Sequence, residues 1–169
     1  MPGSPEGAPH QVTLRMAVPA DSDAILQVSN DPEVRANSFR SDPITPEEHA
    51  HWFEGHLRDP QRPFYVLDVE GAVAGQVRFE PHGTEMRISY SIAREFRGTG
   101  LARGLVADGC ALMRGVLGPL DIVATTKPDN LPSQRVLDAV GFRRRGVRPD
   151  RVDFVLEGDA SILSFPARR

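Results

Sequence analysis

Six residues, Arg97-Gly98-Thr99-Gly100-Leu101-Ala102, stand between an alternating apolar run and a helix-like pattern. A helix N-terminus offers unpaired N–H groups and a partial positive charge. Glycines let the backbone approach an anion closely, so this turn has the makings of a phosphate cradle. Arg94, Arg97 and Arg103 add positive charge around it. The chemistry that suits it is binding of a phosphorylated small molecule. Two nucleotide patterns fail on detail. A dinucleotide fingerprint needs its third glycine at the position of Arg103, and Gly104 comes one residue late. Asp121 begins the next strand, where a ribose ligand would end it. The Gly-Lys-Ser/Thr of a P-loop is absent. Taken alone, the segment also reads as a tight strand–helix turn with solvated arginines.

The elements that must position this turn can be read from periodicity. Residues 11–18 alternate as a strand, and a first helix follows with Asp21 or Ser22 as its cap. Residues 30–44 form a polar loop or a broken helix with two prolines. Thr45, Pro46 and Glu48 make an N-cap, a first helical position and a capping box. Ala50, Phe53 and Leu57 share one face of that helix. Strands are expected at 64–69, 73–80 and 85–92, with turns at Glu70-Gly71 and at Pro81 to Thr84. In the third strand Met86, Ile88, Tyr90 and Ile92 face one way, and Glu85, Arg87, Ser89 and Ser91 the other. A long helix runs from about Gly100 to Leu117, with Leu101, Leu105, Leu112 and Val116 on its buried stripe. A strand at 120–126, a short helix from Asn130 to Gly141, and strands near 142–147 and 152–157 complete a mixed α/β (α+β) domain.

The totals limit the function classes. The chain has 169 residues, 40% hydrophobic and 25% charged, which suits one soluble domain with a core of its own. A net charge of -3 argues against a general nucleic-acid partner. Cys110 is the only cysteine, so no internal disulfide forms, and it reads as a small core residue. Residues 1–10 are Pro/Gly-rich and are expected to be disordered ahead of a single domain at 11–169. No secretion-signal or membrane-span pattern is present, so the expectation is a cytoplasmic protein without a membrane partner. His49, His51 and His56 lack the spacing of H-E-x-x-H, and no metal is expected. They read as surface or half-buried helix residues, and Trp52 and Phe53 as packing residues.

Arg97-x-x-Gly100-x-Ala102, after a strand and opening a long helix, resembles the acetyl-CoA pyrophosphate loop of the GNAT N-acetyltransferase superfamily. "NLPSQRVLDAVGF" (130–142) resembles the second signature of that superfamily, and the element order fits over roughly residues 11–157. The resemblance implies a GNAT fold, with a mixed, mostly antiparallel sheet of about six to seven strands flanked by about four helices. It implies acetyl-CoA as co-substrate. The backbone of Arg97, Gly98, Thr99, Gly100, Leu101 and Ala102 would hold the pyrophosphate. Backbone near Ile92 would pair with the pantetheine arm, and Asn130 and Ser133 would lie against the cofactor. Asn130 also reads as a plain helix cap.

The resemblance has two gaps. Many relatives place a general-acid Tyr seven residues after the Asn, where this chain has Leu137. A thiolate with a pKa near ~8.5 is still a tolerable leaving group. Relatives also carry a Glu ten residues before the loop arginine, where this chain has Arg87. Glu85, two residues earlier on the same face, is the expected base, with Glu80, His82 and Tyr90 behind it.

Two sets of residues bear on the acceptor. A four-residue loop at Pro81–Thr84 would set Glu80 opposite Glu85 and Arg78 opposite Arg87, which is unfavourable for like charges. Diagonal Glu–Arg pairs would relieve it; alternatively Arg78 and Arg87 bind an anionic substrate such as a sugar diphosphate. The stretch 30–53, with "GQVRFE" and "AREFRG", is similar to the GNAT enzymes that acetylate UDP-linked amino sugars. That similarity makes Asn30, Arg35, Asn37 and Ser38 acceptor-side candidates, alongside a turn-forming role.

The leading expectation is therefore an N-acetyltransferase acting on the primary amine of a small molecule, an amino sugar first. The alternatives are acetylation of a protein N-terminus, as by ribosomal-protein acetyltransferases, and a non-catalytic acyl-CoA-binding module. Ile162, Leu163 and Phe165 in the tail suggest docking on another surface, such as the second subunit of a homodimer.

Overall fold

A computed structural model describes residues 11–158, and the expectations for residues 1–10 and for the tail at 159–169 lie outside them. Seven strands form one sheet: β1 (Val12–Met16), β2 (Phe64–Val69), β3 (Ala72–His82), β4 (Glu85–Ile92), β5 (Ile122–Thr126), β6 (Arg143–Arg148) and β7 (Arg151–Leu156). Their order across the sheet is β1-β2-β3-β4-β5-β7-β6. Every neighbouring pair is antiparallel except β4 and β5. Five helices accompany the sheet: α1 (Ser22–Ser29), α2 (Pro32–Asn37), α3 (Pro46–Arg58), α4 (Leu101–Leu117) and α5 (Leu131–Val140). The fifth arises because the polar segment after Asn30 folds into α2. Asp31 caps that helix by accepting from the backbone N–H groups of Glu33 and Val34.

The two sheet faces carry separate cores. On one, Val77, Phe79, Ile88 and Ile92 pack with Leu105, Val106, Met113 and Leu137. On the other, Phe53 of α3, Ile25 of α1 and Phe64 and Val66 of β2 form a smaller cluster. The pair β4/β5 decides the site. It is joined only at Met86 opposite Ile122 and Arg87 opposite Val123, and beyond these the strands part. A parallel pair cannot be held by a hairpin, so nothing local keeps it closed.

Four expectations change. The β3–β4 turn is two residues long, not four: His82 pairs with Glu85, so Glu80 faces Arg87 and Arg78 faces Ser89. Gly83 at φ 63 permits that tight turn, and the like-charge conflict does not arise. The buried stripe of α4 is Leu105, Val106, Gly109, Cys110 and Met113, while Leu112 and Val116 are 41% and 67% exposed. Small residues face the sheet because the helix lies close: a Cβ on Gly109 would stand 2.8 Å from Val77. The buried stripe of α3 is His49, Phe53 and His56, and Ala50 is exposed. Asp21 makes no side-chain cap for α1; it is buried against Arg15, which donates to both its oxygens at 2.8 Å.

Candidate active site

One cavity of about 980 Å³ runs from the start of α4, through the opening between β4 and β5, to a lobe walled by α2 and α3. Its first end is the glycine turn. Gly98 and Gly100 have φ 73 and 81, conformations that glycine adopts without strain. No side chain caps α4. Among the described residues no carbonyl takes the N–H groups of Leu101, Ala102 and Arg103. A Cβ on either glycine would meet nothing within 4 Å, so the cradle is open. Those N–H groups and the helix dipole fit a diphosphate.

The arginines are divided. Arg97 turns its side chain away from the cradle. It donates from Nη2 to Asp31 at 2.8 Å, from Nη1 to Glu33 at 2.9 Å, and from Nε to the Ile92 carbonyl at 3.1 Å. Arg94 donates to the other oxygen of Asp31 at 3.1 Å. Burial opposes ionisation of Asp31, but the Arg97 bond and the backbone bonds from Glu33 and Val34 outweigh it and hold its pKa at about 2. Of the three arginines, Arg103 alone stays free at the mouth of the cavity, and the backbone supplies most of the cradle.

The middle of the cavity is the opening itself. Met86 N–H reaches the Asp121 carbonyl and Ala93 N–H reaches Ala74, so β4 residues alternate between the two edges. By that alternation Ile88, Tyr90 and Ile92 turn their backbone groups to the gap, where β5 has left. An extended amide chain can add there as a strand would. Tyr90 and Ser133 share a hydrogen bond of 2.7 Å on the wall, and Ser133 N–H donates to Asn130 at 3.3 Å. Burial raises the Tyr90 pKa, and the Ser133 bond offsets part of that. Leu137 is fully buried, so the only phenol at this point comes from β4. From sequence Tyr90 stands only as a minor base candidate, because its partner lies 43 residues away.

The far lobe holds Arg35, Asn37, Ser38 and Arg78 of the acceptor candidates, together with His49 and Trp52. Arg35 donates to the Ser29, Arg40 and Asp42 carbonyls and to Ser38 Oγ, at 2.7, 3.1, 3.4 and 3.1 Å. The Arg78 guanidinium lies 5.0 Å from the Trp52 ring centre, and its Nε is buried without a hydrogen-bond partner. His49 Nε2–H donates to the Ser22 carbonyl at 2.9 Å, and burial lowers its pKa, so the ring is neutral with Nδ1 as its acceptor. His56 is also buried, and burial lowers its pKa to about 4. The neutral ring makes no ion pair with Glu80 although Nε2 stands 3.5 Å from it.

Three candidates stand elsewhere. Glu85 is ion-paired to Arg145 of β6, away from the cavity wall, which leaves it no part as base in this geometry. Arg87 contacts His82 at 2.8 Å and faces Glu80, so it does not join Arg78. Asn30 braces the loop by exchanging two 2.8 Å bonds with Ile44. Cys110 is buried and its thiol pKa is pushed up to about 12. No group of three or more metal-ligating side chains occurs among the described residues.

The model of the acetyltransferase (GNAT) domain family matches residues 11–143. YwnH of Bacillus subtilis (strain 168), provisionally named a phosphinothricin acetyltransferase, is 29% identical over 146 residues, 82% of this chain and 88% of that protein. A crystal structure given the same provisional activity superposes with a TM-score of 0.76 at 25% identity, over 88% of this chain and 99% of the other. Spermidine N-acetyltransferase from Vibrio cholerae, solved with CoA and spermine, gives 0.76 at 19% identity over 88% and 96%. These names belong to phosphinothricin and polyamine enzymes rather than to the amino-sugar group that residues 30–53 resemble. With the family model matching over most of its length, on a fold shared with such enzymes, the chain belongs to the GNAT acetyltransferase family.

Proposed function

We propose that the chain transfers the acetyl group of acetyl-CoA to the primary amine of a small molecule that enters the lobe between α2 and α3. The observation that carries this is the continuity of the cavity, from an open diphosphate cradle to a polar lobe on the opposite sheet face. Acetyl-CoA brings the activated acyl carbon, and this chain's residues do the rest.

The cradle amides of Leu101 to Arg103 bind the diphosphate, and the free edge of β4 orients the arm. A β4 backbone N–H facing the gap stabilises negative charge on the carbonyl oxygen. The amine attacks as the free base, and neutral His49 is the proton acceptor on the lobe wall. As the carbon–sulfur bond breaks, Tyr90 donates its hydroxyl proton to the sulfur and is reprotonated through Ser133.

The lobe suits a small acceptor more than a protein terminus, because the segment around α2 straps the opening from both sides. Arg97 and Arg94 hold Asp31 at one end, and Lys127 donates to the Ala36 carbonyl at 2.6 Å at the other. Arg151 of β7 lies over Phe39 of the same segment. The test is release of CoA thiol, read with a thiol reagent, across a panel of small primary amines and a ribosomal-protein N-terminal peptide. Cys110 stays silent in that assay while the protein is folded. Turnover with a small amine and none with the peptide supports the reading; turnover with the peptide alone refutes it.

A further inference from the structure

Resting on that reading, we infer that the acceptor carries an anionic group, a carboxylate or a phosphate, and that Arg78, stacked on Trp52, receives it. Arg78 projects from β3 on the α3 side of the sheet, opposite Ser89 of β4, and both residues line the lobe. Its Nε is buried with no hydrogen-bond partner, and no carboxylate lies within ion-pair distance of it among the described residues. Arg78 is half-buried: its Nε is shut off from solvent, and a guanidinium held so without a counter-ion has N–H groups facing the lobe with no partner in the fold. Stacking on Trp52 orients the guanidinium plane but leaves its N–H groups to be satisfied. A planar fork of donors is the group that pairs two-to-two with a carboxylate or phosphate.

The surrounding charges agree. Arg35 gives its donors to carbonyls and one hydroxyl, never to a carboxylate, so its charge is not neutralised. The acids on the same wall are engaged: Glu33 accepts from Arg97, and Glu48 accepts from Arg40 and from the Thr45 N–H. Glu80, the acid whose field reaches Arg78, leans to His56 and lies outside the lobe. The lobe is therefore electropositive. A polyamine meets repulsion there, whereas an amine bearing an anion is attracted by its anion and leaves its amino group free to react. Arg87, engaged with His82 and facing Glu80, takes no part.

The test uses amines that differ in the anion: ethanolamine and phosphoethanolamine, glucosamine and glucosamine 6-phosphate, putrescine and 4-aminobutyrate. Binding is titrated calorimetrically with the protein saturated in CoA, so that the cradle is filled. The expected result is that an anionic member of at least one pair binds about tenfold or more tightly than its partner. Arg78→Met, which keeps apolar bulk against Trp52, abolishes that preference, and Arg78→Lys keeps part of it. CoA affinity is unchanged in both variants, which separates loss of the subsite from loss of the fold. The phosphate and carboxylate pairs report which anion is preferred. Equal binding within every pair, no binding by any anionic member, or a preference that survives Arg78→Met overturns the inference. Failure of the wild type to bind CoA before any amine is added removes the parent reading instead.

Discussion

Arg97 Nη2 donates to Asp31 Oδ1 at 2.8 Å, joining the loop ahead of α4 to the first turn of α2. The residue that marks the diphosphate loop in the sequence is thus spent, through its side chain, on the strap over the acceptor lobe. The same arginine thus links the two ends of the cavity through Asp31 and Glu33. Asp31→Asn keeps an acceptor for the α2 cap but removes the charge. Its loss should lower stability at pH 7 by on the order of 1–2 kcal/mol and raise KM for acetyl-CoA and acceptor together. The Asp31 pKa is depressed in the fold, so its contribution is present above the unfolded value near ~3.9 and is lost as pH falls toward about 2. Denaturant melts of the two proteins should differ at pH 7 and converge near that lower limit.

Tyr90 and Ser133 meet at 2.7 Å where the family's usual phenol position is filled by buried Leu137. If Tyr90 protonates the leaving sulfur, Tyr90→Phe should lower kcat by on the order of 10²-fold while acetyl-CoA affinity holds. Burial keeps its pKa above the ordinary phenol value, so the wild-type rate should show no fall from Tyr90 ionisation below about pH 10. Steady-state rates with a direct binding titration separate the two effects.

His56 gives the fold an acid sensitivity of its own. Its ring is buried between Trp52 and Phe64, and its folded pKa is about 4. The unfolded chain takes up that proton near pH ~6.5, so stability falls as pH drops from there toward about 4, by on the order of 3 kcal/mol. In His56→Phe that part of the decline should vanish from melts recorded across the same range.

Two glycines should respond to alanine with opposite signs. A Cβ on Gly75 would stand 2.8 Å from the Ser91 carbonyl and 2.9 Å from Ile92 Cδ1, between β3 and β4. Gly75→Ala should cost about 2 kcal/mol, or roughly 4–8 °C in Tm. Gly115, exposed on α4, has nothing within 4 Å, and Gly115→Ala should gain up to about 1 kcal/mol. Thermal melts of the two variants give both signs.

Much of this molecule could be read from local pattern. β4 follows from its alternation and β2 from its apolar run ending at the Glu70-Gly71 turn, both with the expected bounds, and Thr45 and Glu48 form the capping box that their spacing announces. The glycine turn opens α4 as its residue types require. What escaped was non-local. Arg97 finds its partner 66 residues away, and Arg145 claims Glu85 from 60 residues away. Cys110 is in the core as its type suggests, but closeness to the sheet puts Gly109 on the buried face of α4 where periodicity alone points to Leu112 and Val116. His82 pairs within the β3–β4 ladder where its composition suggested a turn, and one changed register moved every charge opposite β4.

In the proposed function the open amides at the start of α4 hold acetyl-CoA. The most direct test is thermal unfolding of the protein with acetyl-CoA, beside NAD and ATP. At about a hundred times its Kd, acetyl-CoA should add about 2.7 kcal/mol, or roughly 5–10 °C, with neither control matching it. No shift with acetyl-CoA or CoA, or an equal shift with NAD and ATP, would contradict the account.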